Sequence, residues 1–513
     1  MTLEEIALAE IPAEKLSFFT KEELIILLRG EQSIRKQLQK RYDAITAANE
    51  LLRQKTLLLE EQFVTIKSQY YGKSSEKSPQ SNPSESEQGD KKKDKKKRVL
   101  LPSERYPNAP LIEQHVTLDV LPSCSCCQAE MRDSGMTEDS EFLTVIPEQY
   151  FVIRQLRHKY RCEKCHADIK TAPLPPRIKE GSSYSDEMMV DVSLTKYCDL
   201  IPIERYSAIA GRCGIQDLPP QSLIESTHYV ADFVRSAYDQ LKSEIVETKV
   251  LHADETPHRM LEGDKKTSWF LWGFSTKQTS YFECHNTRSG DVASRLLTNS
   301  QCEYLVSDVY SGYSKAVNDT NEIRKEKNQP EIQHVYCNAH ARRYFRQAGE
   351  RFPGEAQFFI DQYKEIYKRE DELKGKPFDE VLKIRSQMRP YFESIKARSM
   401  NDVAAYSSKS QLGKAMNYFL KNYEGLTRFL ENQELPIDNN SQERLLRNPV
   451  IGRKTWYGTH SKQGAETAAI LFSLVESCKL NKLNPRQYFK QLVQDLHQGK
   501  PAYTPKELKN RTH

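Results

Sequence analysis

The 513-residue sequence predicts a multidomain α+β protein. Three observations predict this class: a heptad-patterned start, a short segment with two CxxC pairs, and a later stretch in which short apolar runs alternate with helical segments. The chain is long enough for several domains with one sizeable core. We expect, in order, a coiled-coil helix, a small zinc-binding β module and a mixed α/β core with a helical insertion.

The first segment, residues 1–72, is predicted to be one long helix. Every seventh position is apolar except for the interruption at Glu31: Leu24, Leu38, Ile45, Leu52, Leu59 and Ile66. Asn49 falls in the second seam of this heptad pattern, where a polar residue fixes the register of a two-stranded coil. We therefore expect a homodimer or a higher oligomer. The alternative is an amphipathic helix that lies on its own domain.

Residues 73–110 are predicted to form a disordered basic linker. They are rich in Ser, Lys, Pro and acidic residues and contain almost nothing apolar. The net charge of +5 and the pI near 8.4 do not by themselves indicate nucleic-acid binding. The run KKKDKKKR at 91–98 is either a solvated tether or a segment that contacts phosphates regardless of sequence.

The next segment, residues 111–180, is predicted to be a zinc-binding module. Its four candidate ligands form two CxxC pairs: Cys124, Cys127, Cys162 and Cys165. Four thiolates at such spacing suit a tetrahedral structural Zn²⁺ site that is closed to water. Cys126 lies inside the first pair and is an alternative ligand. A redox-active pair is the other alternative, although no thioredoxin-like context surrounds either motif.

A change of pattern separates the next two regions. Residues 181–247 follow helical spacing, which fits either a DNA-reading helical unit or plain helical packing. Residues 248–475 contain five runs typical of strands: KVLHAD, SWFLWGFST, TSYFEC, EYLVSD and HVYC. They predict a mixed sheet with helices on its faces. We expect a helical insertion at about 346–430 and a C-terminal helical tail at 476–513.

Three carboxylates are the candidate catalytic groups. Asp254 is expected to end the first of the strands and Asp308 the fourth, and Glu443 lies near the start of a later helix. Three converging carboxylates can hold two divalent cations, which drive in-line attack on a phosphodiester. Glu443 has an alternative role as the partner of Asn440 in a capping box.

Two neighbouring acids compete as ligands. Glu255 should point to the opposite face of its strand from Asp254, because side chains alternate along a strand. Asp438 precedes the helix and is expected to be a turn or capping residue.

Basic residues near these carboxylates are candidates for DNA contacts. Arg342 and Arg343 follow a CxxH pair, Cys337 and His340, for which a structural role is favoured over metal binding. The last motif adds four more candidates for backbone contacts: Arg444, Arg447, Arg453 and Lys454. For Arg453 and Lys454 the alternative is ordinary surface charge.

The composition excludes a membrane-spanning protein. No apolar run approaches the length of a membrane span, and the acidic start MTLEEIALAE lacks the basic end of a signal peptide. We expect a cytoplasmic, nucleoid-associated protein.

Several motifs, in order, resemble those of the insertion sequence 66 family of DDE transposases. They are YYGKSSEK, the paired CxxC module, TKYCDLIPIERY, LHADETP, SDVYSGY, CNAHARRYF, DNNSQERLLRNPVIGRKTW and GAETAAILFSLVESCKLNKLNP. The resemblance spans nearly the whole chain, and its last block is long and distinctive.

The resemblance implies an RNase H-like catalytic core interrupted by a helical insertion. It implies that Asp254, Asp308 and Glu443 are the catalytic triad, with Mg²⁺ (two ions, or Mn²⁺) as the metal. The expected substrate is double-stranded DNA, both the ends of the element and the target. Accessory proteins encoded by the same element are plausible partners.

Two other functions fit parts of the pattern. One is a metal-dependent nuclease that cuts DNA without joining it. The other is a zinc-containing DNA-binding repressor without enzymatic activity, dimerised by its coil. Only the first needs the three carboxylates, and neither yields a joined DNA product.

Overall fold

The computed structural model describes most of the chain from 152 to 511, with gaps at 162–168, 262–267 and 374. Before residue 152 it describes 20, 21, 25, 32–33, 35–50, 53, 101–105, 126, 128 and 149–150. The chain divides into two compact units. One comprises Met1–Lys73, Arg157–Ala208 and Asp217–His513, and the other comprises Ser74–Leu156 and Ile209–Gln216.

Helices make up most of the described chain. In order they are α1 (Asp186–Tyr197), α2 (Ile203–Arg212), α3 (Pro220–Phe233), α4 (Arg235–Val246), α5 (Asp291–Thr298), α6 (Ser311–Glu326), α7 (Asn338–Gly349), α8 (Pro353–Asp371), α9 (Phe378–Ser386), α10 (Arg389–Asp402), α11 (Gln411–Lys421), α12 (Tyr423–Thr427), α13 (Asn440–Trp456), α14 (Lys462–Leu480), α15 (Pro485–His497) and α16 (Pro505–Arg511). One further helical turn, Pro102–Arg105, lies in the smaller unit.

Seven strands form two sheets in the described residues. β1 (Lys159–Arg161) and β2 (Ile169–Thr171) make a short antiparallel pair. The large sheet contains β3 (Val250–Arg259), β4 (Ser268–Ser275), β5 (Ser280–His285), β6 (Tyr304–Ser307) and β7 (Gln333–Tyr336). Its order is β5-β4-β3-β6-β7, in which β3, β4 and β5 are antiparallel neighbours and β6 and β7 run parallel to β3.

The large sheet is covered on both faces. Leu251 and Ala253 of β3 share a buried core with residues of α5 and α6. The opposite face of β3 and β4 carries α13, and the Arg453 guanidinium of that helix contacts Thr256 Oγ1. Because side chains alternate along a strand, Asp254 lies on the α13 side.

The helices between β7 and α13 form a second core. Phe345, Phe359, Phe392 and Phe419 are all buried in it, and Val306 of β6 joins it from the sheet. Phe345 and Phe359 stack with their ring centroids 4.4 Å apart. This aromatic core allows the helical insertion to pack as a compact body on one side of the sheet.

The strands agree with the sequence prediction, and several boundaries do not. Asp254 was expected to end its strand, but β3 continues to Arg259 because its pairing with β4 extends that far. The helical insertion begins at Asn338 rather than about 346, since α7 runs through that position without a break.

The C-terminal helices pack into the main core. α14 continues across the expected boundary at 475–476. Tyr488 and Phe489 of α15 are buried in the same core as Leu251. The predicted helical region at 181–247 also contributes to this core, through Val230 and Leu241.

The N-terminal and zinc-module predictions fall mostly outside the described residues. Residues 35–50 are helical, and Leu38 and Ile45 are 59% and 61% exposed. Cys124, Cys127, Cys162 and Cys165 are not among the described residues, whereas the nearby Cys126 is described and exposed. None of the described helices combines the length and apolar character needed to cross a membrane.

The buried His334 should make stability depend on pH. Burial and, to a smaller extent, the Arg428 charge together lower the pKa of His334 to about 3. An unfolded histidine has a pKa of about 6.5. The unfolded chain therefore binds a proton below this pH while the folded chain does not, so stability falls from pH 6.5 towards pH 3. By pH 5 the loss from this one group is about 2 kcal/mol.

We expect His334→Gln to reduce the drop in the thermal unfolding midpoint between pH 7.5 and pH 5. The matched control is the exposed His460→Gln, which should keep the wild-type drop. The same drop in His334→Gln as in the wild type would contradict the prediction.

Candidate functional site

Asp254 lies on β3, and Asp308 comes directly after the neighbouring strand β6. β3 and β6 pair in parallel, with His252 opposite Val306. Asp254 comes two residues after His252, and Asp308 comes two residues after Val306. Adjacent strands are about 4.8 Å apart. Asp308 follows the last residue of β6, as the sequence predicts, and its Oδ1 accepts a hydrogen bond from the Tyr310 N–H at 3.0 Å.

Glu443 lies in the first turn of α13. Asn439 is the N-cap of this helix and the N–H of Asn440 donates to Asp438 Oδ1 at 3.1 Å. Asp438 therefore makes the turn contact expected of it, and the capping-box alternative for Glu443 is wrong. Within the described residues, Glu443 Oε1 is shielded from solvent and has no hydrogen-bond partner. This oxygen is available to a ligand.

A buried amide joins the segments that carry the carboxylates. Asn439 Nδ2 donates to the Ala253 carbonyl oxygen at 2.9 Å, and its Oδ1 lies 2.8 Å from His252 Nδ1. The backbone N–H of Asn439 donates to Cys337 Sγ at 3.2 Å. Asn439 thus fixes the start of α13 against β3 and against the start of α7.

The three carboxylates interact electrostatically. Burial raises the pKa of Asp254 well above its usual range, and the charges of Glu255, Asp308 and Glu443 raise it further. Like charges that crowd one another in this way favour a bound proton or a bound cation. The Asp254 Oδ1 accepts a hydrogen bond from the Glu255 N–H at 2.9 Å. The donor set, three carboxylates with an unpartnered oxygen on Glu443, fits a hard divalent cation.

Glu255 does not compete for this position. Its Oε1 accepts hydrogen bonds from Arg288, the shortest at 2.6 Å, and its Oε2 accepts one from Tyr313 at 2.6 Å. Tyr313 packs edge-on against Trp272 on the face away from α13. Glu255 therefore points to the opposite side of β3 from Asp254, as expected.

A tight contact holds α13 against β4. Gly273 lies opposite Asp254 in the β3–β4 register. A Cβ added at Gly273 would stand 2.2 Å from Gln442 Nε2 and 2.9 Å from the Phe282 ring. Gln442 precedes Glu443 and is fully buried. The absence of a side chain at Gly273 therefore allows the first turn of α13 to reach its position.

The CxxH pair, Cys337 and His340, lies beside Glu443. Ligand atoms of Cys337, His340 and Glu443 all fall within 4.8 Å of one another. Burial raises the pKa of the Cys337 thiol to about 12, and its sulfur accepts the Asn439 N–H. That contact supports a structural role for Cys337. His340 Nδ1 lies 3.8 Å from Glu443 Oε1, which places the imidazole beside the carboxylate.

Basic side chains surround Glu443. Arg343 Nη2 lies 3.9 Å from Glu443 Oε2, and Arg342 stacks on the Tyr367 ring at 4.8 Å. On α13, exposed side chains recur at helical spacing: Arg444, Arg447 and Lys454. Arg453 is different, because it is partly buried against Thr256 and burial lowers its pKa. The exposed residues are placed to contact a charged ligand, whereas Arg453 packs on the sheet.

Sequence reasoning missed several residues that build this site. Asn439, Gly273 and Gln442 carry no chemical signature, and only their packing reveals them. Arg346 had a usable signal, since it falls three residues after Arg343 and four after Arg342 on one helix.

Comparison with known proteins identifies a family. The sequence profile described as "Transposase IS66 family" matches residues 181–467. The profile described as "zinc-finger binding domain of transposase IS66" matches residues 122–166, which include the two CxxC pairs.

Relatives from Sinorhizobium fredii (strain NBRC 101917 / NGR234) also match. The uncharacterized protein y4hP is 25% identical over 400 residues, covering 73% of this chain and 70% of its own length. The uncharacterized protein y4jD is 27% identical over 391 residues, covering 74% of this chain and 75% of its own length. Their names give no activity.

These matches define a transposase with a zinc-finger domain. The chain belongs to the IS66 family of transposases. Family membership implies DNA binding and, in general terms, DNA cleavage and transfer.

The close approach at Gly273 generates a prediction. Gly273→Ala should destabilise the protein by about 1–3 kcal/mol, because the new methyl group collides with Gln442 and the Phe282 ring. The control is Gly354→Ala in the first turn of α8, where nothing lies within 4 Å of an added Cβ. Urea unfolding of both variants checks the prediction, and equal midpoints for the two would contradict it.

Proposed function

We propose that this chain is a DDE transposase that binds the ends of an insertion sequence and catalyses metal-dependent DNA cleavage and strand transfer. Asp254, Asp308 and Glu443 are its catalytic carboxylates. The observation that carries the proposal is that the charges of Asp308 and Glu443 both raise the pKa of the buried Asp254, although the three acids are far apart in sequence. The family match supports the same chemistry.

The core is proposed to be RNase H-like. Three antiparallel strands followed by two strands parallel to the first, in the order β5-β4-β3-β6-β7, support this assignment. The first aspartate on the central strand β3 and the second just after β6 stand where such a sheet exposes its functional groups. The helical insertion then separates the second aspartate from the glutamate.

The three carboxylates would hold divalent cations, Mg²⁺ or Mn²⁺, which supply Lewis-acid stabilisation of the attacking and leaving oxygens of a phosphodiester. Asp254 would be central to this role, because the charges of both other acids act on it. Asn439 holds the start of α13, the helix that carries Glu443, against β3, the strand that carries Asp254. Arg343, beside Glu443, would contact the backbone of the bound strand by its guanidinium.

The same site would perform two successive reactions. Water would first cut the DNA at the 3′ ends of the element, and the freed 3′-hydroxyl would then attack target DNA. No covalent protein–DNA intermediate is required. Arg444, Arg447 and Lys454 on the exposed side of α13 would contact the DNA backbone, with Arg453 and Arg342 as further candidates.

The remaining regions are proposed to support this reaction. Cys124, Cys127, Cys162 and Cys165 would bind a structural Zn²⁺ ion. The N-terminal helix would form a coiled coil, and the exposure of Leu38 and Ile45 at heptad spacing supports a partner helix. Accessory proteins encoded by the same element would complete the assembly.

Removing one catalytic carboxylate should abolish cleavage without abolishing DNA binding. Asp254→Asn, Asp308→Asn and Glu443→Gln should each lower strand cleavage at the element ends by at least about a thousandfold. The control is Asp319→Asn, a partly exposed carboxylate of α6 that pairs with Lys315. The measurement is nicking of a labelled element end in Mg²⁺ or Mn²⁺, with binding followed by gel shift.

Cleavage by Asp254→Asn at the wild-type rate would refute the triad. A pre-cut element end with a free 3′-hydroxyl separates the rival functions. Only a transposase joins that end to target DNA, whereas a nuclease cuts and releases it. A repressor binds the end whether or not the carboxylates are present.

The zinc assignment has its own test. The purified wild-type protein should contain about one Zn²⁺ per chain, measured by elemental mass spectrometry. Cys162→Ser should lose this zinc, and Cys126→Ser should keep it. Zinc retained by Cys162→Ser would contradict the ligand set, and zinc lost from Cys126→Ser would make Cys126 a ligand.

A further inference from the structure

A pocket with an excess of positive charge opens beside Glu443. Its volume is about 350 Å³. It is lined by Tyr367 of α8, by Asn440 at the start of α13 and by three arginines of α7: Arg342, Arg343 and Arg346. Glu350 is the acid in the lining, so the arginines outnumber the lining carboxylates. Such a lining selects an anion.

The pocket is held in shape before any ligand arrives. The Tyr367 ring lies under the Arg342 guanidinium at 4.8 Å, and its hydroxyl donates to Asp438 Oδ2 at 3.1 Å. Asp438 Oδ2 also accepts from Asn440 Nδ2 at 2.6 Å. A chain of contacts thus fixes the wall from α8 to the start of α13. Preorganised donors lose little entropy when they bind.

Unused donors face the pocket. In the described part of the chain, Arg342 Nε is shielded from solvent yet has no hydrogen-bond acceptor. Arg343 approaches Glu443 no closer than 3.9 Å, which is longer than a hydrogen bond, and its side chain is half exposed. The shielded Arg342 Nε and the weakly paired Arg343 guanidinium can therefore donate to an anionic ligand.

We propose that this arginine pocket binds one backbone phosphate of the DNA strand that is cut, next to the phosphate held at the carboxylates. This inference rests on the proposed function, because it takes the carboxylates as the cutting site. Neighbouring phosphates of one strand are joined by a single sugar, so a strand seated at the carboxylates carries its next phosphate towards the arginines beside Glu443, of which Arg343 lies 3.9 Å from that carboxylate. Planar guanidinium groups match phosphate oxygens in pairs.

The first experiment measures binding alone. The full-length protein is titrated with a fluorescein-labelled duplex oligonucleotide of mixed sequence, without divalent cation, at several salt concentrations. Arg343→Ala and Arg346→Ala should each weaken binding about tenfold near 0.1 M salt and reduce the slope of log affinity against log salt by about 1. The control Arg389→Ala removes an arginine of the same insertion that pairs with Glu431 outside the pocket.

The second experiment locates the phosphate. Single methylphosphonate substitutions along the cut strand remove one charge at a time from the element-end duplex. One position adjacent to the cut should weaken wild-type binding about tenfold yet leave the binding of Arg346→Ala unchanged. Circular dichroism of each variant shows whether the fold is retained.

The outcomes separate this inference from the proposed function. If the wild type cuts DNA but the pocket variants match Arg389→Ala in affinity and salt slope, the pocket proposal is overturned and the transposase proposal stands. If Arg346→Ala is sensitive to the same methylphosphonate as the wild type, the phosphate assignment is likewise overturned. If the wild type fails to cut its element ends at all, the proposed function fails, whatever the binding data show.

Discussion

The buried amide of Asn439 hydrogen-bonds to β3 while its backbone N–H bonds to Cys337, and the rest of the site depends on this arrangement. β3 carries Asp254, Cys337 precedes α7, and α13 carries Glu443. A buried amide in such a network costs about 1–3 kcal/mol for each partner left unsatisfied. The segment just before α13 is fixed further, because the backbone and side-chain N–H groups of Asn338 both donate to the Ile437 carbonyl. These bonds fix the start of α13, the helix that carries Glu443.

The helical insertion has a core of its own and is nevertheless coupled to the site. Phe345, Phe359 and Phe419 are packed among insertion helices, so this body does not depend on the sheet for all of its burial. Tyr367 reaches from it to Asp438 at the start of α13. The insertion therefore contributes one wall of the arginine pocket as well as separating two parts of the sequence. Its helices place positive charge next to acids that would otherwise repel one another.

Much of the sheet could be predicted from the sequence, because β-branched and aromatic runs bounded by polar turns have a local signature. The positions of Asp308 and Glu255 also followed, since strand alternation and strand ends are local properties. The strand-end position of Asp254 was wrong because the pairing partner beyond it, β4, lies elsewhere in the sequence. Asn439 and Gly273 could not have been found, since their roles arise from contacts between distant segments. The resemblance to the family grouped Asp254, Asp308 and Glu443 as one catalytic triad. The local sequence pattern alone left open an alternative capping role for Glu443.

The two ends of the insertion are held together by hydrogen bonds, whereas the turn before α9 is exposed. Next to the sheet, Asn338 donates hydrogen bonds to the Ile437 carbonyl. A residue inserted or deleted beside either of them would therefore move α13. At the far side, α9 begins at the exposed Phe378 and follows a turn through Gly375, whose φ is +79°. Extra residues inserted at this outer turn would protrude into solvent and leave the hydrogen bonds between Asn338 and Ile437 intact. Among relatives, variation in length should therefore accumulate around residues 374–378, and a reporter peptide could be grafted there without disturbing the carboxylates.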